Sequence, residues 1–480
     1  MQITHFLIVL VGLLSVNKKA EDPLLKCLMQ TSSDTAKLSL IRFKGSGEEF
    51  NHGSVPWSTV PTNFVGFVFT NEKETYFECS FQKNGSTQNN RVYFTSSEYL
   101  KQDSEAGMLS YLAGDVSLQI SDIAKYSPTP LLAFFKWNRS SLIFSEDGDN
   151  YKYVLKGKDF MYSIEISKTD YLPLRFVSVT DDPLYGDVTD EIVYSDFKTI
   201  GTVLYPASIT TNRMGGKLIT KAAVDEMKIV DQSTIPAEAR IPKGIAPKPE
   251  TIEIVIKKHS ENIFIADLKG TDDRSLIVNF KDFVAVLEAP LSVRNGELLI
   301  EAVDKVCPGK PIRYFVFGHH HPDYISGIRA FINIRAKVLC APDNIPYVKY
   351  LYDAPRSIHP DKLALQNKEL LIVPVQNKYT LSDDNGFTME IYNIGAQSSH
   401  TKVYLIYYFP SENLLFEDDL AKIPTNGATY QVNKRQTGLY NAIKELQLDV
   451  DTIIQAWPVT EKFNIKTIFS MTELKKSVEQ

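Results

Sequence analysis

One short segment constrains this 480-residue chain more than any other. The apolar run Tyr314-Phe315-Val316-Phe317 passes directly into Gly318-His319-His320-His321-Pro322-Asp323-Tyr324, so three of the chain's eight histidines stand at consecutive positions where a strand should end. A strand that stops in a turn of imidazoles and a carboxylate places neutral nitrogens and an oxygen together on a rigid support. That donor set suits a borderline ion such as zinc in an open site. The remaining apolar and polar patterning must therefore be read as a scaffold for this loop.

The segment resembles the H-x-H-x-D-H signature of the metallo-β-lactamase superfamily. His319, His321 and Asp323 match its first three ligand positions, and Tyr324 stands where its last histidine belongs. His400-Thr401, ahead of Val403-Tyr404-Leu405-Ile406-Tyr407-Tyr408-Phe409-Pro410, is similar to the third motif. Leu414-Leu415-Phe416-Glu417-Asp418-Asp419-Leu420 is similar to the fourth, with Asp419 at the place of the bridging aspartate. The final histidine has no counterpart: Asp451-Thr452-Ile453-Ile454-Gln455-Ala456 runs into Trp457-Pro458, and no histidine follows His400. The resemblance thus implies a divided site. His319, His321 and His400 make a complete tri-histidine zinc site with an open position, whereas only Asp323 and Asp419 survive of a second, so one zinc ion is expected rather than two. Glu417 and Asp418 are expected to be solvated neighbours of Asp419. Runs of histidine also occur as adventitious metal-binding tracts, but such a tract leaves unexplained why the strand, the glycine and two later motifs follow in the superfamily's order.

The chain exceeds what one core usually supports, so two domains are expected. Its 43% hydrophobic and 23% charged residues are those of a soluble globular protein. A net charge of −6 with no basic patch argues against a nucleic-acid partner. The apolar stretch 6–16 is too short for a membrane span, which needs about 20 residues, and suits the h-region of a secretory signal. Residues 1–20 are therefore read as a signal peptide and the protein as secreted or periplasmic.

Residues 21–231 read as an antiparallel β-rich accessory domain. Segments 151–155, 161–166, 174–179, 190–194, 209–211 and 224–230 are rich in β-branched and aromatic residues between Asp, Gly and Pro punctuation. The pattern is loosely similar to the curved sheets of lipoprotein-carrier-like domains, which hold apolar ligands. Pro236, Pro242, Pro247 and Pro249 make 232–250 a linker. In 251–480, strands at 252–256, 263–267, 275–279 and 283–288 precede an amphipathic helix over 296–306, an order that resembles the superfamily's αββα sandwich. The fold class is α+β. Cys27 and Cys79 share a region and could pair; no C-x-x-C spacing supports a cysteine metal or redox site, and buried free thiols are the simpler reading of all four cysteines. His5, His52, His259 and His359 stand alone and read as surface or satisfied core residues.

The expected function is an exported metal-dependent hydrolase of a small-molecule substrate. One zinc on His319, His321 and His400 would activate water, Asp323 would orient it or take its proton, and Asp419 would serve as a ligand or orient one. The other reading is a catalytically silent binding protein that reuses the fold, with a small apolar ligand in the N-terminal domain. Neither the substrate nor the oligomeric state is encoded in these residues.

Overall fold

The computed structural model describes residues 22–32, 39–71, 73–83, 86–95, 98–105, 108–115, 120–230, 252–425, 432–459 and 463–479. The signal-like stretch and the proline-rich linker lie outside them.

The N-terminal half is one continuous antiparallel sheet of 13 strands. Strands Ser39–Asn51 and Leu218–Ile229 pair at its centre; five further strands step outward on one side and six on the other. Hairpin connections join most neighbours, which is why the alternation of the sequence is so regular: in Ser58–Thr70 the buried positions are Thr62, Phe64, Gly66 and Val68, every second residue. Three helices, Pro23–Thr31, Ile120–Ala124 and Thr129–Trp137, correct the expectation of strands throughout. The first has its own start signal, Asp22 capping the Leu24 N–H with Pro23 in the first turn. Leu24, Cys27, Leu131, Phe134 and Phe135 on these helices pack against Phe43, Phe64, Phe77, Phe94 and Phe176 of the sheet. Cys27 and Cys79 are both buried as free thiols, as are Cys307 and Cys340, so the pairing left open above is absent.

The C-terminal half stacks two sheets. One has seven strands, from Glu253–Lys258 to Ile372–Pro374; the other has six, from Lys378–Ser382 to Ile468–Ser470. Alternate residues divide between layers. Leu276, Val278, Ala285 and Leu287 meet Met389, Ile391, Leu405, Tyr407 and Phe416 between the sheets. On the outer face of the first sheet, Ile277, Val284 and Val286 pack under Leu299 and Val303 of helix Val293–Val306 and Phe331 of helix Ile328–Asn333. On the outer face of the second, Ile406, Leu415 and Ile453 pack under Leu439 and Ile443 of helix Lys434–Glu445. Being covered on both sides, strands such as Val284–Leu287 and Leu405–Phe409 are buried at every position. The whole chain is mixed α and β and rich in β structure.

Candidate metal centre

Strand Ile312–Val316 runs in the interior of its sheet, between Val284–Leu287 and Lys337–Cys340, and its continuation carries His319 into the gap between the two sheets. There His319 Nδ1 lies 2.7 Å from Asp418 Oδ2, with both side chains fully buried. Asp418 follows strand Leu414–Glu417 of the opposite sheet, so the imidazole is oriented across the sandwich. Gly318 makes room for this contact: a Cβ there would sit 2.1 Å from Asp418 Oδ2. Its N–H donates to Glu288 Oε1 at 3.0 Å, which also accepts the Tyr407 hydroxyl at 2.7 Å.

His321 precedes the single turn Pro322–Ile325, with its Nε2 3.3 Å from the Gly53 carbonyl oxygen. A carbonyl can only accept, so the proton belongs on Nε2 and the Nδ1 lone pair is left for an ion. His400 follows the turn Gly395–Ser398, where Ser398 Oγ accepts the His400 N–H at 3.2 Å. Asp419 Oδ2 is 3.1 Å from His400 Nε2 and accepts from Arg435 Nη1 at 3.1 Å, and its Oδ1 accepts the Tyr404 hydroxyl at 3.3 Å.

Ligating atoms of His319, His321, His400 and Asp419 all lie within 4.8 Å of one another. Nε2 of His319 is buried without a hydrogen-bond partner, and Nε2 of His400 faces only Asp419. Leaving such a group unsatisfied costs about 1–3 kcal/mol. Three imidazoles and one carboxylate with unspent lone pairs are a donor set that fits zinc.

The electrostatics agree with that fit. Burial, reinforced by the neighbouring imidazoles, lowers His319 well below its ordinary value, His320 to about 3 and His321 to about 4, so all three are neutral at pH 7. Neutral imidazole is the form that binds metal. Burial alone would raise Asp419, but His400, Arg435 and His321 hold it below the usual carboxylate range, and it stays ionised.

Two of the remaining acids correct the sequence reading. Glu417 and Asp418 are fully buried rather than solvated. Burial pushes Glu417 up to about 8, Glu288 up to about 8, and Asp418, beside Glu288, well above its ordinary value. Asp323 lies in the first turn after His321, partly exposed, outside the group of four. Tyr324 is buried with its ring 4.6 Å from that of His319; burial, then the charges of Asp419, Asp418, Asp323 and Asp273, keep its phenol neutral. The Trp457 N–H donates to the Asp418 carbonyl at 2.9 Å, and its ring packs 4.9 Å from that of Phe463.

His52 is the other correction. Far from an isolated residue, its ring lies 5.9 Å from that of His321. His259, 3.7 Å from Glu412, and His359, 3.1 Å from both Asp159 and Asp181, stay clear of the site, and His5 is outside the described residues. Asp418, Arg435 and Gly53 were not legible as site residues. For Asp418 a signal existed, acids directly after the apolar run Leu414-Leu415-Phe416; for Gly53, more than 250 positions before its partner, there was none.

No family model and no curated protein matches this chain. Among solved structures it is similar to the DIM-1 metallo-β-lactamase, with 19% identity over 48% of this chain and 97% of that one and a TM-score of 0.34. It is similar to a metallo-β-lactamase from Pontibacter korlensis at 16% identity, over 47% of this chain and 98% of that one, with a TM-score of 0.33. A third is FIM-1 from Pseudomonas aeruginosa in its mono-zinc form, at 16% identity over 48% of this chain and 96% of that one, with a TM-score of 0.33.

Proposed function

We propose that this protein is a metal-dependent hydrolase acting on a small molecule, with one zinc ion held by His319, His321 and His400 and with Asp419 as the neighbouring carboxylate. The observation that carries the reading is the convergence of those four side chains, with ligating atoms within 4.8 Å, on a space where the buried Nε2 of His319 has no hydrogen-bond partner. When bound, zinc supplies the Lewis acidity that activates water and polarises the bond to be broken. The chain's own residues do the rest. Asp418 and Gly53 fix the orientation of His319 and His321. Asp323, in the first turn after His321, would take the proton of the attacking water. Tyr324, at the place of the motif's last histidine, offers a neutral phenol where an imidazole ligand would stand, which supports one ion rather than two. The signal-like stretch 6–16 supports export.

Elemental analysis of protein purified without chelator tests this. One equivalent of zinc is expected, His321→Ala should remove it and Tyr324→Ala should keep it. Two tightly held equivalents would sink the single-ion reading, and none at all would leave a silent binding protein.

A further inference from the structure

We infer that the loop 52–57 of the N-terminal sheet is a built part of the metal centre, positioning two of its histidine-bearing loops; this rests on the single-metal reading above. The loop connects strands Ser39–Asn51 and Ser58–Thr70, whose last paired residues are Asn51 and Ser58. From there it reaches into the other half of the molecule and touches both ligand loops with consecutive backbone groups. The Gly53 carbonyl takes the His321 Nε2 proton at 3.3 Å. The Ser54 carbonyl accepts the Lys402 N–H at 2.7 Å, two residues after His400. The Val55 backbone lies beside the His320 imidazole. The His52 ring, edge-on to Phe50 at 4.6 Å, stands 5.9 Å from the His321 ring.

The loop is also pinned. Trp57 sits among Tyr185, Tyr347 and Tyr350 with ring centroids 5.4, 5.4 and 4.8 Å away, and the Tyr185 and Tyr347 hydroxyls meet at 3.1 Å. Ser58 Oγ donates to the Val55 carbonyl at 2.5 Å. Here carbonyls are spent on one imidazole that must present its other nitrogen and on the segment behind a second. Groups of this kind set ligand tautomer and ring direction, and losing one typically costs about 10–100-fold in metal affinity.

The test replaces residues 52–57 by Asn-Gly, the two-residue turn that preserves the Asn51–Ser58 pairing, and in a second variant makes Trp57→Ala, which keeps every backbone group but frees the anchor. Zinc affinity is measured by chelator competition and geometry by the visible spectrum of the cobalt-substituted protein, beside wild type and His321→Ala. Zinc binding about 10–100-fold weaker in the loop replacement, with a changed cobalt spectrum and a smaller loss in Trp57→Ala, supports the inference. A folded loop replacement with wild-type affinity and spectrum overturns it and leaves the metal site standing. Should the loop replacement fail to fold, unchanged affinity and spectrum in Trp57→Ala overturn it. Wild-type protein that binds no zinc overturns the metal reading and this inference together.

Discussion

At Gly318 a single methyl group decides whether His319 keeps its partner. Gly318→Ala would place a Cβ 2.1 Å from Asp418 Oδ2, closer than any real contact, so the carboxylate must leave the imidazole it orients. The expected outcome is zinc affinity lower by about 10–100-fold, measured by chelator competition, while far-ultraviolet circular dichroism is unchanged. The buried acids and imidazoles make a second prediction, for the metal-free protein. His320 and His321, lowered to about 3 and about 4, bind fewer protons folded than unfolded, so their contribution to stability rises with pH up to the ordinary histidine range. Glu417, raised to about 8, holds its proton in the fold after an unfolded carboxyl has lost it, so its contribution falls as pH rises towards 8. The two oppose each other in mildly acid solution, but above about pH 6.5 only the carboxyl effect remains. The melting temperature should therefore fall from about pH 6.5 to 8, and less steeply in Glu417→Gln; an equal fall in both proteins would assign the effect elsewhere.

Among the elements, helix Lys434–Glu445 governs where His400 stands. Gly438 allows it to lie directly on the turn Gly395–Ser398, since a Cβ there would be 2.0 Å from the Gln397 carbonyl oxygen. The same helix carries Arg435 to Asp419. Gly438→Ala must push the helix and the turn apart, an overpacking change that should cost about 1–3 kcal/mol, read as a lower urea midpoint, and it should weaken zinc binding because His400 and Arg435 move with the two elements. Unaltered zinc affinity in a destabilised variant would show that the turn, and not the helix on it, sets the His400 position.

Across the whole molecule, the two halves are joined by more than the loop 52–57. Arg356, buried at 8% exposure, donates to the carbonyls of Asp182, Pro183 and Leu184 at 3.2, 2.9 and 3.0 Å. Asp187 answers by accepting the Ser357 N–H and hydroxyl at 2.6 Å and the Ile358 N–H at 3.2 Å. A protease acting in the stretch 232–250, with its four prolines, should thus give two fragments that still co-elute on gel filtration. In Arg356→Ala the carbonyls lose their buried donor, and the fragments should separate; separation in the wild-type protein would mean that the interface is too weak to hold the site together without the linker.

Local sequence determined what depends on neighbours along the chain. The alternation in the N-terminal strands, the helix over Val293–Val306 and the histidines at the end of Ile312–Val316 follow from periodicity and capping, which act over a few residues. The ligating atoms of His319, His321, His400 and Asp419 come together in one group that no single stretch of sequence could assemble. Only the tertiary structure decided the surroundings of those ligands. Whether Asp418 is solvated or buried depends on which strand of the opposite sheet faces Gly318, and whether His52 is a surface residue depends on how two halves dock. Such contacts join positions about a hundred to more than 250 residues apart. They are set by packing between layers, which leaves no periodic trace in either segment.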